Sequence, residues 1–278
     1  MLHLRTFSGA DFPTLWHLKQ QAGWNQTHAD LERFRALEPT GCFLAELEST
    51  PVGSAIAFTF DTVGWIAMVL VDPAARGQGI GTSLMQHALH FLDGRGVRSV
   101  RLDATPLGQP IYEKLGFQPQ FKLQRFAGLP SLPGSSTPEG VDALHPEWFP
   151  ELCSYDRAIT RTQRTSLLTH LLAEGATLVL RQAGLLAGYV MSRPGANAAQ
   201  IGPCLAEPAA GTRLLEAALA RHAGQPVYVD VPVANEPALR CVTAAGLTPQ
   251  RDLLRMCRGE PISEDVTRLW ASSGPEKG

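Results

Sequence analysis

This sequence is short of the features that would place it in a membrane, on a nucleic acid or outside the cell. No apolar run reaches the roughly 18 residues that a bilayer-spanning helix needs, and the opening MLHLRTFSGADF has no apolar signal core. A cytoplasmic chain with no membrane partner is therefore expected. Charge of one sign is lacking too: 24 basic and 26 acidic residues leave a formal charge of -2, so no polycationic field invites nucleic acid. The cysteines, Cys42, Cys153, Cys204, Cys241 and Cys257, are odd in number, scattered and without a C-x-x-C pair. That argues against a disulfide framework and a zinc site, and reads as buried reduced thiols. His87 and His90 stand three apart on an expected helix with no third ligand in view, so no metal is expected.

What is present begins with size. A chain of 278 residues, 44% of them hydrophobic, is too long for one average core and suits two domains with two cores. A seam supports this: FAGLPSLPGSSTPEG, from Phe126 to Gly140, gathers Gly, Pro, Ser and Thr with almost no charge. It predicts a first domain over 1–127, a linker over 128–140 and a second domain over 141–278. Before the seam, patterning predicts a strand at His3 to Phe7, a helix from Asp11 to Ala22 capped by Asp11, and a helix from Thr27 to Leu37. CFLAELESTPVGSAIAF reads as two strands, and GWIAMVLV as a strand covered on both faces. A helix beyond Ile80, the strand SVRLDA, a short helix from Gln109 to Leu115 and a strand from Phe117 to Phe126 complete an α/β order with helices flanking a mixed sheet.

The same order recurs after the seam. LTHLLAEG, ATLVLRQAGLLAGYVMS, AAGTRLLEAALARHAG and PVYVDV follow one another as helix, strand pair, helix and strand. The stretch from Asn235 to Met256 aligns without gaps on Thr105 to Phe126, matching Gly246 with Gly116, Pro249 with Pro119 and Arg255 with Arg125. A diverged tandem repeat is the architecture this implies. The C-terminal EDVTRLWASSGPEKG offers a strand through Leu269 and Trp270, while SSGPEKG reads as a frayed tail.

Within the first half, VLVDPAARGQGIGTSLM carries the densest signal. It is not the dinucleotide fingerprint, which would need glycine where Thr82 stands, nor a P-loop, since no G-K-[ST] follows. An apolar strand, a D-P turn, an arginine and glycines leading into a helix nonetheless form a site for a pyrophosphate. Glycine lets the backbone approach closely, and the helix start offers free N–H groups and a positive dipole end. Arg76 adds charge-assisted donors, and the hydroxyl of Thr82 or Ser83 one more.

This run resembles the R/Q-x-x-G-x-G/A motif of the GNAT superfamily of N-acetyltransferases, here Arg76-Gly77-Gln78-Gly79-Ile80-Gly81. IYEKLGF, from Ile111 to Phe117, resembles the family's next landmark, and the second half resembles the GNAT-like C-terminal domain of a two-domain subgroup. The resemblance implies tandem GNAT-like folds, each a mixed, mostly antiparallel sheet flanked by helices. It also implies an enzyme that moves an acetyl group from acetyl-CoA to a primary amine. The loop Arg76 to Ser83 would then hold the coenzyme's pyrophosphate, and Met68, Val69, Leu70 and Val71 its pantetheine arm and acyl carbonyl. Tyr112 occupies the position of a general acid for the departing thiolate; the family's frequent Asn is here Thr105.

The central strand carries no carboxylate to serve as base. Asp103, at the end of SVRLDA, is the first candidate, followed by Asp61 and His28. Trp24 and Asn25, between the two N-terminal helices, and Trp65, at the start of the central strand, are candidates for walling and orienting the acceptor. In the second half, setting AEPAAGTRLL beside VDPAARGQGIGTSLM pairs Glu207 with Asp72 and Gly211 with Gly81, and leaves the phosphate loop deleted. Val242 falls opposite Tyr112, and Asn235 opposite Thr105. Asp156, Arg161 and Arg164 supply charges that could reach the first domain's cleft. A small-molecule amine acceptor is expected, with the chain a monomer or homodimer. A non-catalytic acyl-CoA sensor and an acetyltransferase acting on protein lysines or N-termini are the alternatives.

Overall fold

The computed structural model describes residues 1–131 and 138–278, so the centre of the expected linker, 132–137, lies outside the described residues. The first half runs β1 (Leu2–Thr6), α1 (Phe12–Gln21), α2 (His28–Leu37), β2 (Cys42–Leu47), β3 (Thr50–Phe60), β4 (Val63–Val71), α3 (Ile80–Asp93), β5 (Ser99–Ala104), α4 (Gln109–Lys114) and β6 (Gln118–Gly128). The second repeats that succession: β7 (Val141–Ala143), α5 (Phe149–Thr160), α6 (Thr165–Glu174), β8 (Ala176–Gln182), β9 (Leu185–Arg193), β10 (Ala199–Ala206), α7 (Pro208–Arg221), β11 (Val227–Pro232), α8 (Glu236–Ala244) and β12 (Thr248–Gly259). A short β13 (Leu269–Ala271) follows. Helix α1 does not take its cap from Asp11. Ser8 caps the single 3-10 turn before it, and Asp11 answers by accepting from the Ser8 N–H.

Both halves share one sheet, ordered β1-β2-β3-β4-β5-β12-β6-β11-β10-β9-β8-β7, with β13 on β10. The pairings are antiparallel except β4–β5 and β10–β11. The order is that of two GNAT-like sheets that have exchanged final strands: β12 of the second half completes the first sheet beside β5, and β6 of the first completes the second beside β11. Sequence patterning did not foresee this. Equivalent bonds lock both exchanges, because Arg255 stands opposite Asp103 and Arg125 opposite Asp230. Each arginine donates twice to its carboxylate, at 2.7 and 2.8 Å for Arg255 and at 2.8 Å twice for Arg125. Such buried pairs add little net stability, but removing one partner strands a desolvated charge, so they fix the register.

Instead of the two cores expected, three apolar clusters form. One lies beneath α3 around Leu84 and Phe117, and one beneath α7 and α8 around Leu214 and Val229. The third is shared, joining Leu15, Leu31 and Phe58 of the first half to Leu168, Tyr189 and Leu205 of the second. The tail is not frayed. Ser272, Ser273, Glu276 and Lys277 are buried between the halves, where Glu276 pairs with Arg193 at 2.7 Å and Lys277 with Asp30 at 3.2 Å.

Candidate functional site

The site begins where two parallel strands part. β4 pairs with β5 only from Val63 opposite Ser99 to Trp65 opposite Arg101, while β5 continues along β12. β4 then bulges at Met68, whose φ is +51° and whose carbonyl accepts from the buried Ser54 hydroxyl at 2.8 Å. Among the described residues, no strand covers the β5-facing edge of β4 from Ile66 to Val71. At the end of β4, Asp72 accepts from the Ala74 N–H at 2.9 Å and starts the loop to α3. Gly77 and Gly79 take left-handed φ of +78° and +77°, and the space a Cβ would enter at each is empty within 4 Å. Side chains are thus disfavoured by conformation at two positions where the space beyond the backbone is open. The first bond of α3 runs from Ser83 N–H to the Gly79 carbonyl at 3.0 Å. Among the described residues, the backbone N–H groups of Gly77 to Thr82 meet no acceptor.

These donors open onto a groove of about 370 Å³ lined by Val69, Val71, Arg76, Gly79, Thr82 and Ile111, with Leu107 73% exposed at its rim. Arg76 is tethered there by donating from Nε to the Val71 carbonyl at 3.1 Å. Gln78 and Ser83 do not line the groove, and Leu70 is buried in the core. Met68 instead lines a narrower cavity, about 50 Å³, together with Trp24, Asn25, Asp103, Thr105 and Tyr112. Val69 borders both spaces. Tyr112 packs beside Phe117 with ring centres 6.1 Å apart and lies over Gly108, where a Cβ would come within 2.9 Å of its hydroxyl. Burial pushes its phenol up to about 12.

The structure redefines the other candidates. Asp103 reaches the cavity wall, but its side chain is inaccessible and both oxygens accept from Arg255. Burial pushes its carboxyl up, and the Arg255 pair opposes that shift. Asp230 makes the equivalent pair in the second half, which marks this as an architectural bond and not a poised base. Asp61 sits in the β3–β4 turn, at the opposite end of β4 from the groove, and His28 stacks on Trp16 at 4.4 Å; neither lines the cavity.

Trp24 does line the cavity. Asn25 lines it too, but its side chain clasps the second half, donating to the Ala198 carbonyl at 2.9 Å and accepting from the Asn197 N–H at 2.9 Å. Trp65 is buried beneath the guanidinium groups of Arg101 and Arg255, out of the cavity. Asp156 and Arg164 pair with each other inside the second half at 2.6 Å, and Arg161 is exposed, so none of the three reaches the cleft. What sequence reasoning missed is the contribution of Arg251, Pro275 and Glu276, which line the cavity from the exchanged strand and the buried tail. Only long-range pairing brings them there, and no local pattern signals it.

The corresponding wedge of the second half is filled. β10 and β11 pair from Ala199 to Ile201 and then part, and β13 enters the gap as a partner of β10. The Trp270 indole lies so close over Gly211 of α7 that a Cβ there would stand 1.8 Å from it. Asn235 caps α8 and donates to the Leu269 carbonyl at 2.9 Å, holding β13 in place. Where the loop Asp72 to Gly79 separates β4 from α3, the single residue Glu207 separates β10 from α7, which starts on a proline with no N–H to offer.

Comparison with known proteins finds the same family in both halves of the chain. Residues 10–117 match the model of the acetyltransferase (GNAT) family, and residues 152–271 match that of an acetyltransferase (GNAT) domain. A holothin acyltransferase of Pseudoalteromonas is 27% identical over 92% of this chain and 87% of its own. A mycothiol acetyltransferase of Thermomonospora curvata is 35% identical over 35% of each chain. Among solved structures, a proposed acetyltransferase of Pyrococcus horikoshii covers 100% of this chain and 96% of its own, with a TM-score of 0.85 and 22% identity. A tandem GNAT protein from the clavulanic acid biosynthesis pathway covers 95% of this chain and 100% of its own, with a TM-score of 0.65 and 16% identity.

Proposed function

The chain belongs to the GNAT acetyltransferases through both of its halves, and from that premise we propose that the first half transfers an acetyl group from acetyl-CoA to a primary amine of a small molecule, while the second half binds no coenzyme. The observation that carries this reading is the row of uncommitted N–H groups from Gly77 to Thr82, opening onto a groove that shares Val69 with a narrow cavity. Donors gathered at a helix start suit a pyrophosphate, and Arg76 adds positive charge at the rim. Met68 to Val71 would serve the pantetheine arm through the uncovered edge of β4.

When bound, the coenzyme supplies a thioester for the amine to attack and a thiolate that must be protonated. Tyr112 holds its proton at Oη throughout the neutral range, because burial raises its pKa to about 12, and it lines the cavity as Val69 does. Among the described residues, the carboxylates lining the cavity, Asp103 and Glu276, are both ion-paired, so the amine's proton leaves through water. The second half has traded its phosphate loop for a continuous α7 and its wedge for β13. We place the domain limits at 1–127 and 141–278 along the chain, with the final strands exchanged in space.

Calorimetric titration with acetyl-CoA tests this reading. One site per chain is expected; two sites or none overturns it. Tyr112→Phe should lower kcat with an accepted amine by about a hundredfold and leave KM for acetyl-CoA unmoved, as a proton donor demands.

A further inference from the structure

We propose that Arg251 binds a carboxylate of the acceptor, so that the molecule acetylated here carries a primary amine and a carboxylate on one short chain. This rests on the acetyltransferase reading of the first half and names the substrate class of the same cavity. Four side chains of opposite or like charge line that cavity, Asp103, Arg125, Arg251 and Glu276. Three are neutralised within the protein. Asp103 is held by Arg255, Arg125 by Asp230, and Glu276 by Arg193 and Lys277. Arg251 has no ion-pair or hydrogen-bond partner among the described residues, which leaves the lining with one uncompensated positive charge.

The position of Arg251 makes that charge harder to explain as packing. It follows a bulge in β12 between Pro249 and Arg251 and stands directly opposite Arg125 on β6. Like charges placed opposite each other across an antiparallel pair are destabilising. The internal repeat shows the neutral solution: at the matching place Phe121 stands opposite Arg255, with its ring 5.2 Å from the guanidinium. The cavity side has an arginine where its twin has an aromatic ring. Burial, and then Arg125, lower the pKa of Arg251, while Asp230 and Tyr228 oppose that shift. A guanidinium presents a planar fork that matches a carboxylate with two parallel bonds. The cavity is narrow and is lined by Arg251 together with Met68 and Tyr112, so the chain between the amine and the carboxylate of such an acceptor is short.

Turnover with paired acceptors tests this directly. Glycine, β-alanine and 4-aminobutanoate would be compared with methylamine, ethylamine and propylamine, which are the same amines without the carboxylate. With acetyl-CoA saturating, at least one carboxylate-bearing member should exceed its partner in kcat/KM by about tenfold or more, the worth of a charged hydrogen bond. Arg251→Gln should collapse that ratio towards one while leaving the acetyl-CoA affinity unmoved, and Arg251→Lys should restore part of it. Equal rates within every pair, an unchanged ratio in Arg251→Gln, or acetylation confined to amines without a carboxylate would each overturn the proposal. Failure to bind acetyl-CoA would overturn the acetyltransferase reading instead. In that event the Arg251 assignment stands if 4-aminobutanoate raises the unfolding midpoint of the wild-type chain but not of Arg251→Gln, and falls if both respond alike.

Discussion

Two wedges of the same origin lie in one sheet, and only one is open. β4 and β5 part after Trp65 and leave a bare strand edge beside a groove; β10 and β11 part after Ile201 and are stopped with β13 and the Trp270 indole. The physical demand is identical in both. Diverging parallel strands uncover backbone N–H and C=O groups that must find partners, and an apolar gap that must find filling. Among the described residues, the first half leaves that demand unmet, whereas the second meets it with its own chain. A helix start shows the same choice: α3 is preceded by glycines in left-handed conformation, and α7 by Glu207 and Pro208.

The largest expected effect comes from emptying the filled wedge. Trp270→Ala should destabilise the chain by about 3–5 kcal/mol in chemical denaturation, since an unbonded buried indole contributes through packing alone. It should not raise the acetyl-CoA stoichiometry above one, because the loop before α7 is absent; a second site would erase the distinction between the halves. Glu264 tests the seam between them. It accepts from Arg101 at 2.8 Å and from Arg255 at 3.1 Å, and although burial opposes ionisation, those arginines hold its carboxyl down at about 2. A carboxyl depressed on folding stabilises fully above its unfolded pKa near 4.5 and loses that contribution as pH falls towards 2. Glu264→Gln should therefore cost about 3 kcal/mol at pH 7 and flatten the decline of stability between pH 4.5 and 2.

On the open side, Gly79→Val should weaken acetyl-CoA binding by at least about a hundredfold, through backbone strain at positive φ and a side chain in the cradle. Its unfolding midpoint should fall far less than that of Trp270→Ala. The smallest effect belongs to Arg76→Ala. Its side chain is exposed, and a loss of about fivefold in coenzyme affinity, larger at low salt, is expected from titration calorimetry.

Much of the open wedge was legible along the chain. The apolar β4, the loop at Arg76 to Gly81 and the placing of Tyr112 are local patterns, read from strand periodicity, glycine spacing and a helix start. The repeat was legible too, and its match of Arg125 with Arg255 proves to be the pair that locks the exchange. What was illegible is whatever depends on which copy of a repeated strand joins which sheet. β6 and β12 are alike in sequence, so nothing local says that each completes the other's half. For the same reason Asp103 read as a free carboxylate, and Arg251 as nothing at all. SSGPEKG read as a frayed end because its composition is polar; the partners that bury it, Asp30 and Arg193, lie far away in sequence.

The exchange of strands also sets a timetable for synthesis. β12 comes from residues 248–259, yet it sits between β5 and β6, made from residues 99–104 and 118–128. As the chain leaves the ribosome, the half that holds the groove must wait with the edge of β5 bare until almost everything else has emerged. Bare edges recruit other chains, and contacts between residues so distant in sequence form slowly. Synthesis interrupted before residue 248 would leave not a smaller enzyme but a pair of unfinished sheets, sticky and in need of chaperones.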